Sequence, residues 1–381
     1  MMTYFSTYLA EPLCQLAEEA EVRSREIESH RCLPSDLMNR LKACGVLRLW
    51  VAQAYGGHQA TVLDLLQAIE LCAYHNGSLA WIVAVTGTAA LGSGYLPPES
   101  AQAIFGPSDA MTGGWAAPVG QARRVEGGLM VSGRWAWGSG TPQASHIVGG
   151  VMVSDASAEK TFSALAYFSP EQVQFHDNWH VLGMRGSQSI DYEVKEVFVP
   201  EGYWMPFPVK KPWVEATLYR FSFLGALAAG VASVGLGLAH RAWHEIKTLS
   251  LQKVPQGAGR TLSERPVVHD QLARMQAAYQ SARLYLHEAI RQNWQAAEQG
   301  FPAPATKSAL RLAATYAAET SLQIVQQAYH LGGGSSIWEG VKLQELLRDA
   351  QVMSQHGLIA PANYEIAGRM AFDLPVNAWL L

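Results

Sequence analysis

The sequence predicts a mainly α-helical protein with a small β domain at its centre. Two observations carry this. Apolar residues recur every three or four positions from Ala10 to about Phe105 and again from about Thr217 onward, whereas the stretch from Met111 to about Tyr203 runs as short β-like segments separated by Gly, Asn, Asp and Pro. A third observation removes the main alternative: strands and helices do not alternate as βαβ units, so a doubly wound parallel sheet is excluded.

In the first unit, taken as residues 1–110, "LCQLAEEAEVRSREIESH" repeats on a helical period, and "LPSDLMNRLKACGV" starts at a Ser35 or Asp36 cap and stops at Gly45. "TVLDLLQAIELCAYH" and "SLAWIVAVTGTAALGSGYL" read as two further helices, the second nearly all apolar and so buried. In the central unit, residues 111–210, "RRVEGGLMVSGRWAW" reads as a hairpin turning at Glu126-Gly127-Gly128, followed by strands in "HIVGGVMVS", "FSALAYFS" and "DYEVKEVFVP". The last unit, residues 211–381, returns to helices at about 217–247, 266–297, 304–331 and 341–356, the pattern of a four-helix bundle.

A net charge of −4 with no cluster of Lys and Arg argues against a nucleic-acid partner. The four cysteines lie in the first fifth of the chain without CxxC spacing or a secretory leader, which predicts reduced thiols in a cytoplasmic protein. The uncharged run Phe221–Ala239 is only mildly hydrophobic, being rich in Gly and Ala, so it reads as a core helix and no membrane span is expected. Neither HExxH nor HxH spacing occurs among the twelve histidines, so no metal site is expected. GxGxxG, GxxxxGK[ST] and GxSxG are also missing.

Three segments concentrate candidate chemistry. In "SGRWAWGSGTPQASH" a strand ends in Trp135 and Trp137 before Gly138-Ser139-Gly140, setting flat aromatic surface beside open backbone; from composition alone a plain hairpin with a glycine turn is the stronger reading. In "NWHVLGMRGSQSIDYEVKEVFVP" the loop presents Arg185, Ser187 and Ser189, suited to an anionic or carbonyl-rich ligand, or else a surface ion pair and turn serines. In "RDAQVMSQHG" the final helix carries Asp349, Met353 and His356 on one face, with Asp349 and His356 about 10 Å apart and so unable to bond directly. His356 reads either as an active-site residue or as a helix C-cap with Gly357 in the left-handed position after it.

Taken in order, "GVLRLWVAQAYGGHQA", "NGSLAWIVA", "VSGRWAWGSGTPQASH", "LGMRGSQSIDYEVKEVFVP" and "LQELLRDAQVMSQH" resemble the acyl-CoA dehydrogenase superfamily, and within it the two-component flavin-dependent monooxygenases. In the dehydrogenases a glutamate base stands nine positions after the arginine of the Arg-Asp pair; here that place is Gly357, preceded by His356, where the monooxygenase branch carries a histidine. The resemblance therefore implies the family's fold: helical N-terminal domain, β domain and C-terminal bundle. It also implies an oxygenase that takes reduced flavin (FADH2 or FMNH2) from a separate NAD(P)H:flavin reductase and uses O2, through a C4a-hydroperoxyflavin, to oxygenate a small aromatic substrate, indole-like or phenol-like.

The same resemblance assigns His356 and Ser139 to catalysis and Trp137, Gly138, Ser139, Gly140, Arg185, Ser187 and Ser189 to the flavin. It assigns Trp81, Trp135, Asp349 and Met353 to the substrate pocket and implies a homotetramer. The alternatives are an acyl-CoA dehydrogenase-like or nitroalkane-oxidase-like flavoenzyme using Asp349 or another carboxylate as base, or a helical scaffold without catalysis. Two departures from the family pattern are "LSLQKVPQGAGRTLSERP" in place of "RxxFG", and Glu345 in place of an arginine after Leu343-Gln344.

Overall fold

The computed structural model describes residues 7–155, 160–209 and 211–377. Its first helices are α1 (Thr7–Val22), α2 (Ser24–His30), α3 (Ser35–Ala43), α4 (Val62–His75), α5 (Gly77–Ala89) and α6 (Pro98–Phe105). A Thr61/Asp64 capping box opens α4, and Asn76 opens α5 by accepting the Leu79 N–H at 2.9 Å. Apolar on all sides, α5 is buried from Gly77 to Ala84 and is enclosed by other elements rather than lying on a surface.

The strands are β1 (Thr112–Val125), β2 (Gly128–Gly138), β3 (His146–Asp155), β4 (Lys160–Phe168), β5 (Gln174–His176), β6 (Ile190–Pro200) and β7 (Trp204–Pro206). Among the described residues they form one sheet in the order β5-β6-β2-β1-β3-β4-β7, antiparallel throughout except for the parallel β1–β3 pair. The predicted hairpin is present, with Val125 paired to Gly128 across Glu126-Gly127. One face of the sheet closes over its own core, including Leu129, Val131, Trp135, Phe168 and Tyr192. The three-residue edge strands β5 and β7 were not predicted.

The bundle comprises α7 (Thr217–Arg220), α8 (Phe223–Gln252), α9 (Pro266–Gln299), α10 (Pro304–Gly332), α11 (Lys342–Met353) and α12 (Ala362–Ala371). The apolar run expected to be a core helix is α8, 83% of whose most apolar window is buried within the fold. The N-terminal helices and the bundle share one continuous hydrophobic core, so the two helical units predicted separately pack as one body. The predicted helix 341–356 stops at Met353. The Ser354 hydroxyl turns back onto Gln351 O at 2.8 Å, and His356 instead caps the N-terminus of a short turn, Gly357–Ile359. The C-cap reading of His356 is thereby corrected.

A buried carboxylate ties the three regions together. Asp349, on α11, is 3% exposed, and its Oδ1 accepts the Met184 N–H at 2.5 Å from the loop before β6. Its Oδ2 lies so close to the start of α5 that a Cβ on Gly77 would sit 2.3 Å away; likewise a Cβ on Gly183 would come within 2.4 Å of the Arg348 backbone. Arg348 clamps the rim by donating to Glu28 on α2 at 2.7 Å and to Leu182 O at 3.0 Å. From the other side, Gly186 N–H donates to Ser78 Oγ at 3.1 Å.

Burial, reinforced by the neighbouring Glu345 carboxylate, pushes the Asp349 carboxyl up to about 7. A raised folded-state value means that the native protein holds this proton more tightly than the unfolded chain. Stability from this group is therefore full at low pH and is lost as pH rises between the ordinary carboxylate range and about 7. Asp349→Asn keeps an acceptor for Met184 and removes the charge. We expect its melting temperature to gain on that of the wild type by on the order of a few degrees between pH 5 and pH 8, measured by calorimetry across that range.

Candidate functional site

The segments singled out in the sequence meet around a row of buried hydroxyls. Ser139, just after β2, lies 2.6 Å from Ser189 (Oγ to Oγ), and Ser189 lies 2.7 Å from Ser187. All three are 3% exposed or less. From α5 the Trp81 indole N–H donates to Ser139 Oγ at 2.9 Å, and the Trp81 ring meets the His356 imidazole edge-on, centroids 5.5 Å apart.

Backbone strain gathers here. Trp137 (φ 60°), Met184 (φ 51°) and Gln188 (φ 47°) all hold left-handed conformations that side-chain-bearing residues rarely adopt. The β2–β6 pairing slips between Trp135 and Gly138, and this irregularity turns Trp137 away from the face that Trp135 occupies. Trp137 is 60% exposed and touches Trp115 edge-on at 5.2 Å. A large flat ring held outward by a strained backbone beside a buried hydroxyl row is a stacking surface for a planar ligand.

His356 is half-buried at the end of the Trp81 contact. Burial, with a contribution from the Arg311 charge, pushes its imidazole down to about 4, so the ring is neutral near pH 7. Its Nδ1 accepts the Leu358 N–H at 3.2 Å, which leaves the ring hydrogen on Nε2. His356 is therefore placed as a hydrogen-bond donor, and its one basic nitrogen is already engaged.

The remaining predicted residues fall outside this constellation. Trp135 is fully buried in the sheet core, stacked on Tyr192 at 5.2 Å and donating to Gly150 O at 2.8 Å, so it does not line a pocket. Met353 is fully buried against α8 near Gly235, and Asp349 is committed to Met184 and the start of α5. Arg185 is exposed, donates to Val181 O at 3.0 Å, and lines an open cleft with Arg31 and His180. Gly138 is required by packing, since a Cβ would strike the Tyr192 ring, and Gly140 by its left-handed backbone at φ 65°. Ile82, Thr86 and Met111, which border Gly140, were not singled out; the apolar character of α5 pointed toward the first two, and nothing in the sequence toward Met111.

Two further points bear on chemistry. Cys14, Glu18 and His75 bring possible metal-ligand atoms within 4.8 Å of one another, a grouping that spacing rules miss; however, His75 Nδ1 is held by Glu21 at 2.7 Å and the Cys14 thiol is pushed up by burial and Glu18. At the hydroxyl row the Trp81 N–H is already given to Ser139, so the donors left for a ligand are a serine hydroxyl and, across the Trp81 ring, the His356 N–H. Such a set suits the carbonyl- and nitrogen-bearing edge of a flavin ring, and Trp137 offers its face to the same kind of ring.

Comparison with known proteins identifies the family. Residues 13–95 match the model of the acyl-CoA dehydrogenase N-terminal domain, and residues 229–361 that of the acyl-CoA dehydrogenase C-terminal domain. Indole-3-acetate monooxygenase of Pseudomonas putida is 29% identical over 92% of this chain and 90% of its own length. The flavin-dependent monooxygenase oxygenase subunit HsaA of Rhodococcus jostii is 25% identical over 93% of this chain and 96% of its own. Among solved structures, XiaF from Streptomyces in complex with FADH2 and glycerol superposes with a TM-score of 0.88 at 21% identity, covering 96% of this chain and 97% of that one. By its two domain matches the chain belongs to the acyl-CoA dehydrogenase family, and the relatives that match it over nearly their whole length are named as monooxygenases.

Proposed function

We propose that this chain is the oxygenase component of a two-component flavin-dependent monooxygenase acting on a small aromatic or heteroaromatic ring, indole-like or phenol-like. The observation that carries the reading is the neutral, half-buried His356, which stands against Trp81 with Nε2–H free to donate. Where the dehydrogenases carry their base, Gly357 has open space around its Cα, and the neighbouring carboxylate, Asp349, is locked in the fold. A protein so arranged lacks the means to remove a proton α to a carbonyl, and it is rich in donors.

When bound, reduced flavin supplies the two electrons that let O2 give one oxygen atom to the substrate and the other to water. The chain's own part is to bind and to exclude solvent. Trp137 offers its face to the ring system, Ser139 with Ser187 and Ser189 offers hydroxyls to its edge, and α5 closes one side with Trp81 and Ile82. His356 Nε2–H steadies negative charge developing on oxygen near the ring. Walls this apolar keep out the water that would divert oxygen to hydrogen peroxide.

The indole-like choice takes support from the Pseudomonas putida relative's name, and the need for a reductase from the oxygenase-subunit naming of the Rhodococcus relative. Exposed Leu284, Tyr285 and Tyr316 on α9 and α10 support burial against further copies, as in a homotetramer.

Mixing the protein anaerobically with FADH2 or FMNH2 and then admitting O2 with indole or a phenol tests the proposal. Hydroxylated product with little free peroxide is expected, whereas peroxide alone with every aromatic offered would overturn it. His356→Ala should bind reduced flavin within about threefold of wild type, yet lose coupled product by about two orders of magnitude. Because burial lowers the imidazole to about 4, any break in coupling between pH 6 and pH 8 should come from Asp349, near 7, and should persist in His356→Ala. A break centred near the ordinary histidine value, absent from the variant, would mean that His356 works as a titrating acid or base.

A further inference from the structure

Counting hydrogens along the buried row assigns a role to Trp81. The row holds one indole hydrogen and three hydroxyl hydrogens. Its contacts, Trp81 to Ser139 at 2.9 Å, Ser139 to Ser189 at 2.6 Å and Ser189 to Ser187 at 2.7 Å, consume three of these four. One hydroxyl hydrogen is left over, and the three serines make no other side-chain hydrogen bond among the described residues. At 0–3% exposure none of them has easy access to water. An unused donor in such a place costs about 1–3 kcal/mol until an acceptor arrives.

The indole fixes where that hydrogen is useful. An indole N–H only donates, so Ser139 Oγ is always an acceptor toward Trp81. An oxygen that accepts a hydrogen bond becomes a stronger donor through its own hydrogen. Turning the hydroxyls of Ser187 and Ser189 so that each donates toward Ser139 frees the Ser139 hydrogen with no movement of heavy atoms. Ser139 follows the exposed Trp137 by two residues, and its N–H donates to Trp137 O at 2.9 Å, which ties the hydroxyl row to the strand end that carries the outward-facing ring.

The geometry points to Trp81 as a positioning residue that makes Ser139 the hydrogen-bond donor to the edge of the bound flavin, with Ser187 and Ser189 as the adjustable remainder of the row. This rests on the flavin reading above and goes beyond it, since Trp81 acts through Ser139 in addition to closing one side of the site.

The test uses the full-length protein with FAD and FMN, oxidised in air and reduced under anaerobic conditions. It compares wild type, Trp81→Phe, Ser139→Ala and the double variant by equilibrium dialysis and by the position of the long-wavelength absorbance band of bound oxidised flavin. Trp81→Phe keeps an aromatic ring and loses the donor. It should weaken binding about 3- to 10-fold and move the band in the same sense as Ser139→Ala, the double variant moving it no further than Ser139→Ala alone. Should Trp81→Phe melt well below the wild type, Trp81→Met removes the donor with a more adaptable side chain and carries the same comparison. A pure packing role changes stability and leaves the band in place. An unmoved band, tighter binding in Trp81→Phe, or effects that add in the double variant would each overturn the role of Trp81 while leaving the flavin reading intact. A wild type that binds neither flavin in either redox state would overturn both.

Discussion

The carboxylate of Asp349 is the constraint on which the site depends. It belongs to α11, accepts a backbone N–H from the loop before β6, and presses on the first residue of α5. Those three segments supply, respectively, the approach to His356, the serines Ser187 and Ser189, and Trp81. Holding a carboxyl group in so dry a place is unfavourable unless its oxygens are engaged, and it becomes tolerable here because the backbone meets it at close range. Gly77 and Gly183 make that approach possible, and the Arg348–Glu28 pair closes the rim above. The same Arg-Asp pair that marked the family resemblance thus acts as a structural latch.

Much of the architecture was legible because long elements carry their period openly. Helix α5 reads as buried from its unbroken apolar composition, and the β1–β2 hairpin from Glu126-Gly127 between alternating strands. The edge strands β5 and β7 are three residues long, too short for any period to register. The end of α11 was misread because Gln355-His356-Gly357 resembles a helix terminus, whereas the Ser354 side chain ends the helix earlier by competing for a backbone carbonyl.

Site residues were legible only in part, since their roles are set by contacts between segments. Trp135 and Trp137 are two apart and should share a face of a regular strand. The irregular pairing at the end of β2 breaks that rule, burying one ring on Tyr192 and exposing the other. Left-handed backbone at Met184 and Gln188 carries no sequence signature, because neither residue is of the type that favours it. The serine row needs Ser139 from one strand and Ser189 from a loop fifty positions away, and no local pattern announces that they touch.

The shared core of the N-terminal helices and the bundle has a consequence for how the chain is made. Helices α4 and α5 pack against α8, and the close approach at Gly237, whose Cβ would meet the Glu70 carbonyl at 2.4 Å, forms only after the whole β region has been synthesised. During translation the first hundred residues therefore leave the ribosome with a sticky apolar flank and no partner to cover it. The sheet, which has its own interior, can consolidate meanwhile. Covering that flank is left to the late helices, α8 first among them, once they emerge.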